Sequence, residues 1–256
     1  MKISVITVCF NSSEFILDAI MSVNNQVYSN VQHIFIDGKS TDRTLDIIDE
    51  YCTREKIVIS EPDNGVYDAM NKGLAVATGD IICLLNSDDV YADDNVYCDI
   101  FREFSCCHVD YLWGDLDFVD QSRPDKTVRH WISRMIDQDG VYKTEIPPHP
   151  SFFMRRSVLR MYPKFNLSYR IASDFDYMKN VILDHGLTGK YIRRNFVKMR
   201  LGGLSTSNNL VQQNMEIYRS LKATFPSYNF FYFVIFKVYT KLRLFFGHVM
   251  VRFGSK

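Results

Sequence analysis

Apolar residues in the first 110 positions alternate between two spacings. Short continuous apolar runs predict strands buried on both faces, at residues 3–8, 31–36, 57–59 and 81–85. Between these runs, apolar residues recur three and four positions apart and predict helices, around residues 15–23, 45–48 and 66–77. Strands and helices that alternate in this way predict an α/β fold, with a mostly parallel central sheet flanked by helices.

The pattern is less regular after residue 110. Further strands are predicted at residues 109–115, 127–132 and 151–154, a polar loop at 138–148, and a helix at 172–183 with Ser173 as its N-cap. We therefore expect one domain with two halves, over 1–110 and 111–210, followed by a helical segment over 211–256.

The C-terminal segment has its own charge pattern, because residues 217–256 contain seven Lys or Arg and no Asp or Glu. On a helix, four cationic positions fall within about 60° of one another and border a large aromatic face: Lys237, Lys241, His248 and Arg252. This amphipathic pattern is typical of helices that lie in a bilayer surface. The longest charge-free run, 223–236, is shorter than the ~20 residues that span a bilayer. We expect peripheral membrane binding, with a packed helix or a spanning helix as alternatives.

Charge and cysteine content limit the partners and the compartment. Lys plus Arg equal Asp plus Glu at 30 each, so overall charge gives no reason to expect a nucleic-acid partner. The six cysteines include no C-x-x-C pair, so a cysteine metal site is not predicted, and adjacent Cys106 and Cys107 are not expected to bridge. With no signal-peptide pattern at the N-terminus, we expect a cytoplasmic protein, peripheral on the cytoplasmic face of the inner membrane.

Carboxylates stand where two predicted strands end. Asp37 ends the second strand, and Asp88 and Asp89 follow the fourth. Ligands of open α/β sheets bind outside the carboxyl ends of the strands, so these groups should border a crevice. Adjacent carboxylates repel, and a divalent cation offsets that repulsion, which predicts a Mg²⁺ or Mn²⁺ site carrying a diphosphate. An ordinary turn is the alternative for Asp88 and Asp89, and a helix cap is the alternative for Asp37.

Other polar and aromatic residues are candidates for the same crevice. Phe10 follows the first strand and offers a flat face to a nucleobase, with core packing as its alternative. His149 lies between two prolines, which hold it in extended geometry. Asp174 and Asp176 are about 200° apart on the predicted helix, so only one of them can face the crevice. The glycine-rich stretch 202–207 is a candidate lid.

Seven segments together resemble family 2 of the inverting glycosyltransferases, which have the GT-A fold. They occur in the family's order at residues 5–11, 37–42, 61–73, 85–89, 149–152, 173–176 and 202–205. The stretch 61–73 is most similar to the branch that builds bacterial exopolysaccharide, capsule and lipopolysaccharide O-chains. The resemblance implies a transferase of hexosyltransferase type that moves a sugar from a nucleotide-sugar donor, UDP-linked by analogy, in cell-surface polysaccharide biosynthesis.

The resemblance also implies that the half over 1–110 binds the nucleotide sugar and that the half over 111–210 binds the acceptor, and it implies a role for each candidate. Asp37 would bind the base or ribose, with Phe10 near the base. The donor pocket would be lined by Asp63, Asn71, Lys72 and Asp88. Asp89 would hold the metal ion, and Asp174 would be the general base. The residues implied to close over the diphosphate and the acceptor are His149, Gly203 and Ser205.

The acceptor implied by the resemblance is a saccharide or a lipid-linked saccharide, which agrees with a membrane-binding tail. Two other functions fit the same carboxylates and sheet. A sugar nucleotidyltransferase would release diphosphate from a nucleoside triphosphate. A noncatalytic nucleotide-sugar-binding module would bind a donor without turning it over.

Overall fold

The computed structural model describes residues 1–202 and 210–254, with side chains in the last helix described as far as Leu242. The strands are β1 (Ile3–Cys9), β2 (Val31–Asp37), β3 (Glu55–Ser60), β4 (Ile81–Leu84), β5 (Val90–Tyr91), β6 (Tyr111–Val119), β7 (Thr127–Trp131), β8 (Phe152–Arg155) and β9 (Gly189–Arg200). The helices are α1 (Ile16–Asn24), α2 (Thr44–Tyr51), α3 (Val66–Val76), α4 (Val96–Cys106), α5 (Gln138–Tyr142), α6 (Ser173–Leu183), α7 (Leu210–Thr224) and α8 (Phe230–Gly254).

One mixed sheet runs through the molecule, in the order β3-β2-β1-β4-β8-β6-β9-β5, with β7 paired to β6. Strands β1 to β4 are parallel to one another, as the alternation of the first 110 residues predicted. Strand β8 then lies antiparallel between β4 and β6, while β9 is parallel to β6. The α/β fold class is therefore confirmed, and the departure from an all-parallel sheet lies in the second half of the chain.

Helices cover both faces of the sheet, which explains the continuous apolar runs. In β4, Ile82 and Leu84 join the hydrophobic core beneath α3 and α6, whereas Ile81 and Cys83 join the core beneath α4. Successive strand residues point to opposite faces, so a strand covered on both sides must be apolar at every position. The same packing fixes where β4 ends and where the polar residues after it begin.

Some elements differ from the sequence prediction. The polar loop predicted at 138–148 begins with the one-and-a-half-turn helix α5, whose N-cap Asp137 accepts a hydrogen bond from Gly140 N at 2.9 Å. Ser173 is the first residue of α6 and not its N-cap, which is Ala172. The Ser173 hydroxyl donates instead to Asn166 O at 2.9 Å. A five-residue helix is too short for hydrophobic periodicity to reveal.

Strand β9 is the largest element that the pattern did not predict. Its twelve residues are mostly half-buried and include three arginines and two lysines, so neither a continuous nor an alternating apolar pattern is present. It lies between β6 and β5 because it fills the edge left open beside β6. Its last residue, Arg200, reaches the end of β4 described below.

The C-terminal helices pack back on the domain through one side. Tyr228 and Phe233 are buried in the core, and Thr240 Oγ1 of α8 donates to Lys143 O at 3.1 Å. Within the described part of the chain, no helix combines the length and the apolar character needed to cross a bilayer.

Candidate active site

The loops after β1 and β2 form one hydrogen-bonded rim at the carboxyl edge of the sheet. Cys9 pairs with Asp37 in the parallel register, so the two loops start side by side. Asn11, at a φ of +48°, donates from its backbone N to Ser40 Oγ at 2.8 Å and accepts from Thr41 N at 2.9 Å. Polar side chains thus hold two loops that contain no regular structure.

Asp37 is fully buried beneath this rim. Its carboxylate accepts hydrogen bonds from Ser40 N at 2.9 Å, from Ser60 Oγ at 2.6 Å and from the Ser40 hydroxyl. The helix-cap alternative is wrong for Asp37, because Asp42 Oδ1 accepts from Thr44 N at 3.0 Å at the start of α2. The assignment of Asp37 to the base or ribose stays a prediction.

Phe10 and Asp63 converge above Gly38. A Cβ atom at Gly38 would lie 2.7 Å from Asp63 Oδ2 and 3.3 Å from the Phe10 ring, so only glycine leaves this space open. The Phe10 side chain is 62 % exposed, which rules out core packing. An exposed ring beside a carboxylate is suited to stacking on a planar ligand that also carries hydrogen-bond donors.

Asn71 and Lys72 have protein partners that hold loops in place. Both polar atoms of the Asn71 side chain bind the backbone of Phe165, at 2.7 and 3.0 Å. Lys72 Nζ forms an ion pair with Glu61 at 2.8 Å and donates to Pro62 O at 2.8 Å. The structure therefore gives both residues a role in holding the segments at Phe165 and at Glu61–Pro62, while their direct contact with a donor stays a prediction.

Asp88 and Asp89 stand at the end of β4, as predicted. Asp89 is fully buried and accepts from Asn86 Nδ2 at 2.9 Å and from Arg200 N at 3.3 Å. Burial, with the adjacent charge of Asp88, raises the pKa of Asp89 to about 7, and burial also raises the pKa of Asp88.

This donor set fits a hard divalent cation. Two carboxylates whose ionised forms are both disfavoured would be stabilised by a divalent cation, and oxygen ligands suit Mg²⁺ or Mn²⁺. Magnesium commonly takes one or two carboxylates from the protein and completes its shell with water and substrate phosphates. Asp88 and Asp89 would supply that carboxylate pair.

Arg200 forms hydrogen bonds with both residues of the aspartate pair. Sequence reasoning did not find it. Its guanidinium is 3 % exposed and donates to Asp88 O at 2.7 Å, to Gln121 O at 3.0 Å and to the carboxylate of Asp18. One buried cation therefore joins the ends of β9 and β4 to α1. Arginine has the donors in a fixed fork that this arrangement requires.

Asp174 lies in the first turn of α6, where two side chains hold its carboxylate. Tyr67 OH lies 2.9 Å from Asp174 Oδ1, and His149 Nδ1 lies 3.3 Å from Asp174 Oδ2. Burial raises the pKa of Asp174, but the hydrogen bond and charge of His149 outweigh burial and leave the pKa below its ordinary value. An ionised carboxylate is the form that can accept a proton.

Asp176 faces away from this cluster, as the helical geometry required. It forms a buried ion pair with Lys179 at 2.9 Å and accepts from Ser220 Oγ at 2.6 Å. These contacts tie α6 to α7. Of the two carboxylates that the sequence left open, Asp174 is therefore the one beside His149.

His149 connects the two groups of carboxylates. Its Nδ1 faces Asp174, and its Nε2 lies 3.5 Å from Asn86 Nδ2, whose amide also binds Asp89. Burial lowers the pKa of His149, but the hydrogen bond with Asp174 and the charges of Asp174, Asp89 and Asp88 outweigh burial and raise the pKa overall. A histidine in this position is suited to carry positive charge between the two groups of carboxylates.

Gly203 and Ser205, the remaining lid candidates, lie outside the described residues. Sequence reasoning missed three residues of this site: Tyr67, Asn86 and Arg200. Tyr67 and Arg200 bind partners that are distant in the sequence. Asn86 binds Asp89 across a turn that forms only in the folded chain. Tyr67 and Asp174 are 107 residues apart. No local motif indicates such a pair.

The family model of glycosyl transferase family 2 matches residues 4–162, more than half of the chain. The chain belongs to glycosyl transferase family 2. This family 2 glycosyltransferase is 27 % identical over 209 residues to a PGL/p-HBAD biosynthesis glycosyltransferase of Mycobacterium bovis, covering 80 % of this chain and 79 % of the relative. It is 29 % identical over 190 residues to an uncharacterized glycosyltransferase of Mycobacterium tuberculosis, covering 71 % and 69 %.

Solved structures share the fold of this glycosyltransferase. S. aureus TarS 1-349, crystallised with UDP-GlcNAc, superposes with a TM-score of 0.69 at 18 % identity, over 87 % of this chain and 66 % of that one. The mannosyltransferase PcManGT of Pyrobaculum calidifontis, in complex with GDP-Man and Mn²⁺, gives a TM-score of 0.64 at 14 % identity, over 89 % and 65 %. The chain thus spans slightly less than two thirds of these crystallised chains. The predicted family and GT-A fold are confirmed.

Proposed function

We propose that this glycosyltransferase transfers a sugar with inversion from a UDP-sugar, using Mg²⁺ or Mn²⁺, to a saccharide or lipid-linked saccharide of a cell-surface polysaccharide. The observation that carries the proposal is the position of His149, which contacts the candidate base Asp174 on one side and faces the Asp88–Asp89 pair through Asn86 on the other. A single displacement needs a general base on one side of the reacting carbon and a diphosphate site on the other, and only His149 would lie between the two.

The reaction follows from the charges of these groups. The acceptor hydroxyl attacks the anomeric carbon, the carbon–oxygen bond to the diphosphate breaks, and Asp174 takes the hydroxyl proton late, when that proton has become acidic. Attack opposite to the leaving group inverts the anomeric centre. Tyr67 holds the carboxylate in position, since its OH lies 2.9 Å from Asp174 Oδ1.

Negative charge that develops on the departing diphosphate needs stabilisation. A divalent cation, when bound, would neutralise part of that charge. Asp88 and Asp89 would hold the cation, and His149, whose pKa is raised by the surrounding carboxylates, would contribute positive charge on the side of the acceptor. Arg200 would keep the aspartate pair in place.

The nucleotide half of the donor would bind over residues 1–110. Phe10 would stack on the base above Gly38, with Asp37 and Asp63 receiving hydrogen bonds from the base or ribose. The UDP-GlcNAc complex of TarS supports a UDP donor, because that protein has the same fold. Residues 111–210 would bind the acceptor, since they supply His149 and Asp174.

The C-terminal segment would bind the surface of an anionic membrane and bring the enzyme to a lipid-linked acceptor. Five apolar side chains on one side of α8 are between 44 % and 70 % exposed: Phe231, Val234, Ile235, Val238 and Leu242. They lie within an arc of about 100° and are bordered by Lys237 and Lys241. An exposed apolar face beside cations, in a segment without acidic residues, is suited to acidic phospholipid headgroups.

Vesicle co-sedimentation tests the membrane part. The full chain should sediment with vesicles of phosphatidylcholine and phosphatidylglycerol more than with phosphatidylcholine alone, and the double variant Phe231→Ser, Val238→Ser should lose this binding. The matched control is Val27→Ser, Met161→Ser, because both side chains are more than half exposed elsewhere on the surface. Equal sedimentation of both double variants would contradict the proposal, as would burial of the face in a stable dimer detected by light scattering.

A panel of nucleotide sugars tests the transferase part. With Mn²⁺ and no acceptor, slow release of a nucleoside diphosphate from one donor is expected, and chelation or Asp89→Ala should abolish it. Asp139→Ala is the matched control, because Asp139 is an exposed carboxylate paired with Lys143 outside the site. The proposal would be overturned if calorimetry detected binding of none of the donors, or if the protein released diphosphate from a nucleoside triphosphate.

A further inference from the structure

Two cysteines and a glutamate meet at the end of α4, beside Lys190 of β9. Glu103 and Cys106 are three residues apart in the last turn of α4, so they share one face of the helix, and Cys107 follows as its C-cap residue. One ligand atom from each lies within 4.8 Å of the others. The expectation that the cysteines lack metal spacing considered only C-x-x-C pairs and therefore overlooked this cluster.

The geometry of the two sulfurs is close to what a metal requires. The Cys106 and Cys107 Sγ atoms are 3.4 Å apart. In tetrahedral coordination with Zn–S bonds of about 2.3 Å, two sulfurs would lie roughly 3.8 Å apart. A shift of a few tenths of an ångström would therefore bring both thiolates to the same ion.

A cation already occupies part of this cluster. Lys190 Nζ of β9 lies 2.6 Å from Glu103 Oε2 and 3.5 Å from Cys107 Sγ. The Lys190 side chain is 40 % exposed, so its ammonium group can move into solvent when another cation arrives. The Cys106 side chain is exposed, which leaves a path for an incoming ion.

We propose that Glu103, Cys106 and Cys107 form a binding site for a thiophilic divalent cation, with Zn²⁺ the best fit, independently of the proposed transferase function. Binding replaces two S–H bonds by two Zn–S bonds and releases two protons, while the Glu103 carboxylate is the third ligand and water the fourth. Thiolates select soft cations and carboxylates select hard ones, so this site and the Asp88–Asp89 pair would take different metals.

Cobalt titration of the reduced full chain tests the proposal. Co²⁺ should produce near-ultraviolet sulfur-to-cobalt charge-transfer absorption, and one equivalent of Zn²⁺ should displace it. The double variant Cys106→Ser, Cys107→Ser should lose the absorption and Glu103→Gln should weaken binding severalfold. Cys98→Ser, a part-buried cysteine on the same helix, should bind as the unaltered chain does.

Each outcome separates this site from the transferase site. Absorption that survives in the double serine variant, or that is lost equally in Cys98→Ser, would overturn the proposal. Absence of thiolate absorption, with a Cys106–Cys107 disulfide found by mass spectrometry in the untreated protein, would identify a redox pair in its place. Asp89→Ala should leave the sulfur-to-cobalt charge-transfer absorption unchanged whether or not the protein transfers sugars.

Discussion

The donor edge of the sheet and the catalytic end of the crevice are built in different ways. At the donor edge, Phe10 is mostly exposed, and the polar contacts join loops that lie within about 30 residues of one another. At the catalytic end, the hydrogen bonds of Arg200 and Tyr67 span more than 100 residues, and Asp89 and Arg200 are buried. Substitutions at the donor edge should therefore change binding, whereas those at the catalytic end should affect chemistry and folding together.

The largest effect is expected for Asp174→Asn. Loss of a general base commonly lowers turnover by about 10²–10⁴-fold, and the amide keeps the size of the side chain and its contact with Tyr67. Donor affinity should stay within about twofold, measured by calorimetry beside transfer assays. Unchanged turnover would mean that Asp174 is not the general base. It would also contradict the view that substitutions at this end of the crevice affect chemistry.

The next effect is expected for Arg200→Met. Without its guanidinium, Asp88 O and Gln121 O lose charged donors, and the variant should be less stable by on the order of 2–3 kcal/mol. Metal-dependent donor hydrolysis should fall as well. Urea unfolding beside Arg194→Met on the same strand is the measurement, since Arg194 pairs with Asp93 and Asp99 away from the aspartate pair. Equal losses in the two variants would show that Arg200 has no special role.

A smaller effect is expected for Phe10→Ala at the donor edge. Removal of an exposed ring that stacks on a base should weaken donor binding by about 3–10-fold, with an unchanged unfolding midpoint. Val27→Ala, a substitution of another exposed apolar residue, serves as the control. Unchanged donor affinity would mean that the nucleobase binds elsewhere. A lowered unfolding midpoint would contradict the view that this edge is independent of the core.

The smallest effect is expected for Tyr67→Phe and concerns pH. The Tyr67 hydroxyl helps to keep the pKa of Asp174 below its ordinary value, so its removal should raise that pKa. A base works only when ionised, and the acidic limb of kcat/KM should therefore move to higher pH, with the plateau little changed. A profile of kcat/KM against pH measures it. If the acidic limb of the profile does not move, or if only the plateau of kcat/KM falls, Tyr67 does not lower the pKa of Asp174.

The first half of the fold was predictable because its signals are local. The apolar runs that become β1, β2 and β4 mark strands covered on both faces, and Asp37 ends β2 while Asp88 lies four residues after β4. Strand β9 was not predictable, because its charged and half-buried residues carry no periodic pattern. The roles of Asn71 and Lys72 in fastening loops were likewise invisible before their partners were known.

By itself, the sequence determined the family, the α/β class and the positions of Asp88, Asp89, His149 and Asp174 as candidates for one site. The spacing of apolar residues and the short motifs depend only on neighbours along the chain, so a single sequence is enough to recognise them. The folded structure was needed to show that Asp174 and not Asp176 faces His149, that Arg200 holds the aspartates in place, and which side of α8 is exposed. These features depend on contacts between distant segments, and their energies arise only when folding brings those segments together.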